Sequence, residues 1–221
     1  MKAVSSVLRT SRVCNAAVAR VGFSALLLQL VLTMRGVNVL TDSSGALTPV
    51  PTRIIRFFSY FTVQSNILCS VAAASLAVQP DRDGALWRVL RLAATVGITV
   101  TFVVYLVALR GLLTLAGLAS LADTLLHLVM PAAVIVGWLV FGPRPRVDRN
   151  TVMLTALWPV IYLIYTLIHG AVSKWYPYPF IDVSSLGYAA VLVNGMLVAV
   201  LVVAVGGAYL LLDKSLPRPP G

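Results

Sequence analysis

The chain has 221 residues, of which 59% are hydrophobic and 11% charged, with a mean hydropathy of +0.93. Soluble domains carry about 25% charged residues, so this composition excludes a water-soluble globule. The net charge of +10 would point to nucleic acid in a soluble protein, but here the Lys and Arg flank apolar runs. Membrane lipids of an anionic leaflet are therefore the expected partner, and nucleic acid is not.

A bilayer span needs roughly 20 mostly apolar residues. Six stretches meet that length, at about 16–34, 57–78, 92–109, 123–141, 151–171 and 186–212, and they use most of the chain. The predicted fold class is all-α: a polytopic membrane protein forming a single six-helix transmembrane domain over 1–221. Its predicted place is the cell membrane, as a multi-pass protein.

The basic segment Met1 to Arg12 precedes an apolar run in the manner of a signal peptide, but no small-x-small site follows Leu30, and a retained first helix is expected. Arg20 lies near the inner end of that helix, where its side chain can snorkel. A polar loop, Arg35 to Arg53, leads to the second span. Gln79-Pro80-Asp81-Arg82-Asp83-Gly84 marks a turn after it. After the third span, Arg110 to Ala122 reads as a modestly apolar, interfacial or re-entrant connection. Gly142-Pro143-Arg144-Pro145-Arg146 ends the fourth span, and Pro159 is expected to kink the fifth. Lys174 to Phe180 forms an aromatic, Pro-rich loop before the sixth.

Lys2, Arg9, Arg12, Arg82, Arg88, Arg91, Arg144, Arg146, Arg149, Lys214 and Arg218 fall on one side of this topology. Only Arg35, Arg53, Arg56, Arg110 and Lys174 fall on the other. Both termini are therefore expected in the cytoplasm.

The polar side chains are not scattered evenly. Phe57 to Asn66 brings Ser59, Thr62, Gln64, Ser65 and Asn66 into one span, and on a continuous helix Ser59, Thr62 and Asn66 share a face. Asp123 and His127 stand i, i+4 in another span, so the carboxylate can orient the imidazole. At 1.5 Å per residue, Thr62 and His127 lie roughly 6–8 Å below the same interface, and His169 lies at a similar level. A hydroxyl within reach of that imidazole has the parts of a base-activated nucleophile. The same groups can also serve as interhelical glue, and Trp175, Tyr176 and Tyr178 as an interfacial aromatic belt. Cys14 and Cys69 suggest no disulfide framework. Two histidines without supporting Cys or Glu make a poor metal-ligand set, so no metal or other cofactor is expected.

The run Phe57-Phe58-Ser59-Tyr60-Phe61-Thr62-Val63-Gln64-Ser65-Asn66 resembles a signature of bacterial six-span membrane proteins of the Pr6Pr type. So do Asp123-x-x-x-His127-x-x-x-Pro131, and Trp158-Pro159-x-x-Tyr162 followed by Tyr176-Pro177-Tyr178-Pro179-Phe180. These proteins are similar in turn to the eukaryotic androgen-induced, ADTRP-type membrane proteins, which hydrolyse fatty acid esters of hydroxy fatty acids with a Thr nucleophile and a His. The resemblance implies a lipid ester hydrolase in which His127, oriented by Asp123, is the base and Thr62 or Ser59 the nucleophile. The relatives' polar residue before the His is typically Asn where this chain has Asp123. Asn66, His169 and Trp175 are candidates for holding the lipid-like substrate, Asn66 or His169 by donating to its oxyanion. The alternative is a non-catalytic membrane protein, a small transporter or assembly partner, whose polar residues line a pathway or a helix interface. The oligomeric state is left open.

Overall fold

The structure is a computed structural model that describes residues 2–37, 47–112 and 114–217, with side chains from residue 6 onward. The middle of the first loop (38–46) and Arg218 of the basic tail lie outside the described residues. Every regular element among the described residues is helical. In chain order they are α1 (Lys2–Met34), α2 (Val50–Ser59), α3 (Phe61–Val78), α4 (Ala85–Val104), α5 (Gly117–Thr124), α6 (Met130–Phe141), α7 (Arg149–Ser173) and α8 (Val183–Ser215). A π-helical turn, Tyr105–Leu109, extends α4, and another, Leu125–Val129, joins α5 to α6. A 3-10 turn, Pro179–Ile181, precedes α8. Among the described residues six helical segments are long and apolar enough to cross a membrane, and the chain is a multi-pass membrane protein.

Helices α3 and α4 form the centre, with α1 and α6 packed on one side and α7 and α8 on the other. About half of the apolar windows of α3 and α4 is buried (44% and 50%), against 17% for α7 and α8, whose outer faces meet lipid. Lipid supplies no hydrophobic drive between helices, so close approach has to come from small residues. The α1–α3–α4 contact uses them: Ala25, Ser70, Ala73, Ala93 and Ala94 are buried. A Cβ on Gly22 would collide with the Ser70 hydroxyl and with Met130. One on Gly97 would come within 2.5 Å of the Trp158 ring, which locks α7 against α4. On α8, a Cβ on Gly206 would lie 3.0 Å from Val152, while Gly207 faces open space.

Several expectations need correction. The second span is not one helix. Tyr60 is extended (φ −75°, ψ 129°), so α2 ends at Ser59 and α3 begins at Phe61. Ser59 consequently leaves the face shared by Thr62 and Asn66. The Gln64 side chain bridges the break by donating to the Phe58 carbonyl at 3.1 Å. Residues 117–122 are not a re-entrant connection but the helical start of the fourth span, and Arg91 lies within α4 rather than in the loop before it. Pro159 lies inside α7, which continues as one helix on both sides of it. A break falls in α8, at Gly187 (φ 75°), where the absence of a Cβ permits the left-handed backbone.

The end of the bundle that carries the 80s and 140s loops is tied by charge. Asp83 accepts from Arg88 (Nε to Oδ1 and Nη2 to Oδ2, each 2.7 Å), and Arg146 pairs with Oδ1 at 2.6 Å. Asp213 on α8 accepts from the backbone amides of Arg146 and Val147 at 2.6 and 2.7 Å. Arg144 donates to the carbonyls of Trp138 and Leu139, which end α6. Asp148 caps α7 by accepting from the Thr151 amide and hydroxyl, contacts that hold its carboxyl below the usual range.

Candidate active site

At the opposite end, Thr62 opens α3 beside the Leu125–Val129 turn. Its Oγ1 lies 3.3 Å from His127 Nε2. On the other edge of the imidazole, Nδ1 lies 2.9 Å from Asp123 Oδ1 and 3.1 Å from the Asp123 carbonyl. Both partners are acceptors, so the hydrogen sits on Nδ1 and the Nε2 lone pair faces the Thr62 hydroxyl. The remaining oxygen, Asp123 Oδ2, accepts from the Tyr105 hydroxyl at 2.6 Å. The Tyr105 ring also stacks on the imidazole, with centroids 4.4 Å apart and planes 16° from parallel. With the Tyr105 hydroxyl included, the Asp123 carboxylate, the imidazole and the Thr62 hydroxyl form one chain across three membrane segments.

The π-helical turn has a local cause. Pro131 has no N–H to give the His127 carbonyl, and its ring would crowd that carbonyl in a regular helix. The turn before it widens, and the Met130 amide bonds to Leu125 rather than Leu126. The Leu126 carbonyl loses its helical donor and receives one from Asn66 Nδ2 at 3.1 Å. The same nitrogen donates to the Thr62 carbonyl at 2.8 Å. Asn66 therefore docks α3 onto the turn that carries His127, and its amide hydrogens are committed to backbone rather than to a substrate.

Tyr178 completes the surroundings of Thr62. Its hydroxyl accepts from the Thr62 amide at 3.1 Å and lies 3.3 Å from Thr62 Oγ1. Burial pushes this phenol's pKa up, so it stays neutral and keeps a proton to donate. Phe61 stacks on Trp158 (4.6 Å) and meets Tyr162 edge-on (5.0 Å). The segments 57–66, 123–131, 158–162 and 176–180 thus converge on one point.

An apolar cavity of about 180 Å³ begins at Thr62 and Tyr178 and runs between α4, α7 and α8. Val100, Leu163, Val198 and Val202 wall it, and Val160 and Val203, both exposed, form its lips toward lipid. Gly195 lines it too, and a Cβ there would come within 2.9 Å of the Leu163 side chain. Thr62 itself is buried, whereas the His127 and Asp123 side chains, away from the cavity, retain 17% and 23% exposure.

Not every expected residue joins this group. Ser59 is buried, donates to the Ile55 carbonyl at 2.8 Å and pairs with the Tyr165 hydroxyl at 2.6 Å, with no contact to His127. His169 pairs with Ser173 and packs near Tyr165 and Trp175. Trp175 stands against Tyr60, with Arg56 over its ring, and reaches Thr62 only through Tyr60 and Tyr178. Asn194 donates to the Phe180 carbonyl at 2.8 Å and pins the 3-10 turn to α8.

Tyr105 and Tyr178 are the residues that reading the sequence missed. Tyr178 looked like a belt aromatic, and the one available sign was its position between two prolines that bend the loop inward. Among the described residues no three His, Cys, Asp or Glu side chains gather. No model of a known protein family matches the chain, and no curated protein or solved structure matches it.

Proposed function

We propose that the chain is an intramembrane hydrolase of fatty acid esters, in keeping with its resemblance to the Pr6Pr and androgen-induced proteins. The observation that carries this reading is the Asp123–His127–Thr62 chain ending at an apolar cavity. Thr62 Oγ1 attacks the ester carbonyl while His127 Nε2 takes its proton. Asp123 and Tyr105 hold the imidazole and stabilise its charged form. The Tyr178 hydroxyl, free to rotate from Thr62 Oγ1, donates to the developing oxyanion. The C–O bond of the ester then breaks, the leaving alkoxide takes the proton from His127, and the acyl group remains on Thr62. Water, activated by the same imidazole, releases the fatty acid. The acyl chain occupies the cavity, and the partly exposed edge of His127 and Asp123 is the side by which alcohol leaves and water enters. With both termini cytoplasmic in a cell membrane, as the Lys and Arg distribution implies, the site would lie in the outer half of the bilayer. A transport pathway has less support, because the cavity is apolar beyond Thr62, Thr101, Tyr162 and Tyr178.

The test is fluorophosphonate labelling of the purified chain and of Thr62→Ala, Ser59→Ala and His127→Ala variants. Labelling should disappear in the Thr62 and His127 variants and persist in Ser59→Ala. Labelling retained in both of the first two would overturn the reading.

A further inference from the structure

A second cavity, of about 320 Å³, lies at the other end of the bundle between α1, α3, α4 and α6. Its walls are mostly apolar, with Ala72, Val18 and Val134 among them, yet Arg91 lines it as well. The Arg91 guanidinium forms no hydrogen bond or ion pair with any described residue. The two neighbouring guanidinium groups are occupied: Arg146 pairs with Asp83, and Arg144 caps α6. Asp213 attracts Arg91 electrostatically but makes no ion pair with it: its Oδ2 takes two backbone amides, and its buried Oδ1 has no hydrogen-bond partner. Of these three guanidinium groups, only that of Arg91 has all its donors unassigned among the described residues.

Other donors face the same space. Ser11 and Asn15 of α1 line the cavity, and the Ser11 hydroxyl accepts from Asn15 at 3.3 Å while keeping its own proton to give. Exposed Ala17 and Val136 mark a lateral opening between α1 and α6. A buried or half-buried cation without a partner is costly in a membrane, and a guanidinium matches the two oxygens of a phosphate or carboxylate. The apolar walls match a hydrocarbon chain attached to that group.

We propose that this cavity binds the oxyanion head of an anionic amphiphile, with phosphate or carboxylate on Arg91 and the chain leaving between α1 and α6. The site is separate from Thr62 and does not depend on hydrolytic activity. The full-length chain is to be examined by native mass spectrometry with phosphatidylglycerol and phosphatidylcholine, and by thermal unfolding with inorganic phosphate alone. Wild type should retain phosphatidylglycerol over phosphatidylcholine at least about tenfold, a preference that Arg91→Gln abolishes and Arg91→Lys partly keeps. Stabilisation of wild type but not Arg91→Gln by inorganic phosphate, without lipid preference, would assign the same site to a free anion. Equal retention of both lipids together with no response to phosphate overturns the proposal. Gly137→Leu guards against a misfolded Arg91→Gln. A side chain at Gly137 meets nothing within 4 Å, so leucine fills the cavity and leaves Arg91 in place. A phosphatidylglycerol preference that survives Gly137→Leu likewise overturns the proposal.

Discussion

Asp213 and Asp123 are both carboxylates on membrane-crossing segments, one at each end of the bundle, and they have different kinds of partner. Asp213, almost fully buried, accepts from the amides of Arg146 and Val147 and so ties the 140s loop to α8. Its partners are backbone and lead no further. Asp123 accepts from the Nδ1–H of His127 and the hydroxyl of Tyr105, and the imidazole leads on to Thr62 and the apolar cavity. Burial is greater at Asp213, yet the carboxylate linked to an imidazole and a hydroxyl is Asp123. A carboxylate bonded to amides anchors chain, whereas one bonded to a titratable ring sets that ring's proton in place.

Exchanging damage between the two ends is the sharpest test of this contrast. His127→Asn should lower ester hydrolysis by about 10³-fold, in the range of a lost general base, and leave unfolding in mixed detergent nearly unchanged. Asp213→Ala should do the reverse. It strands two amides at a cost of roughly 2–4 kcal/mol, while the rate per folded molecule holds. Lost activity with unaltered unfolding in Asp213→Ala would break the comparison.

A smaller effect is expected at Tyr105. Tyr105→Phe keeps the stacked ring but removes the hydrogen bond to Asp123, and kcat should fall by about tenfold with KM unchanged. A change confined to KM would make Tyr105 a substrate contact instead. The smallest effect belongs to Asp83. The hydrogen bonds from Arg88 and Arg146 hold its carboxyl well below the ordinary carboxylate range. A depressed folded pKa means the contribution is present above the unfolded value of about 3.9 and is lost as pH falls through the folded value. The pair is about a third exposed, so the gain of wild type over Asp83→Asn should be under about 1 kcal/mol near pH 6. It should shrink steadily below about pH 4. A difference in unfolding that ignores pH in that window would sink the assignment.

The geometry also explains why some of the site was legible and some was not. Asp123 and His127 belong to one helical stretch, so their meeting follows from spacing alone. Thr62 against Ser59 was undecidable from spacing, because the choice turns on one extended residue, Tyr60, that breaks a helix the hydropathy pattern draws as continuous. Asn66 looked like a donor toward substrate. Its carbonyl partner at Leu126 becomes vacant only because the turn before Pro131 widens, which is a rearrangement within another helix. Tyr178 and Tyr105 approach from a loop and from the far end of α4, over separations at which no periodic pattern operates.

By itself, then, the sequence determined an all-helical membrane protein with six crossings, because the desolvation of apolar side chains and the need to bond every backbone group in lipid act locally along the chain. It determined the Asp–His pair for the same local reason. Only the tertiary structure decided which hydroxyl meets His127, which tyrosines join it, and that Arg91, its guanidinium bonded to none of the described residues, lines a cavity at the other end. Those outcomes depend on how closely helices approach, and close approach is set by Gly22, Gly97 and the breaks at Tyr60 and Pro131 acting together.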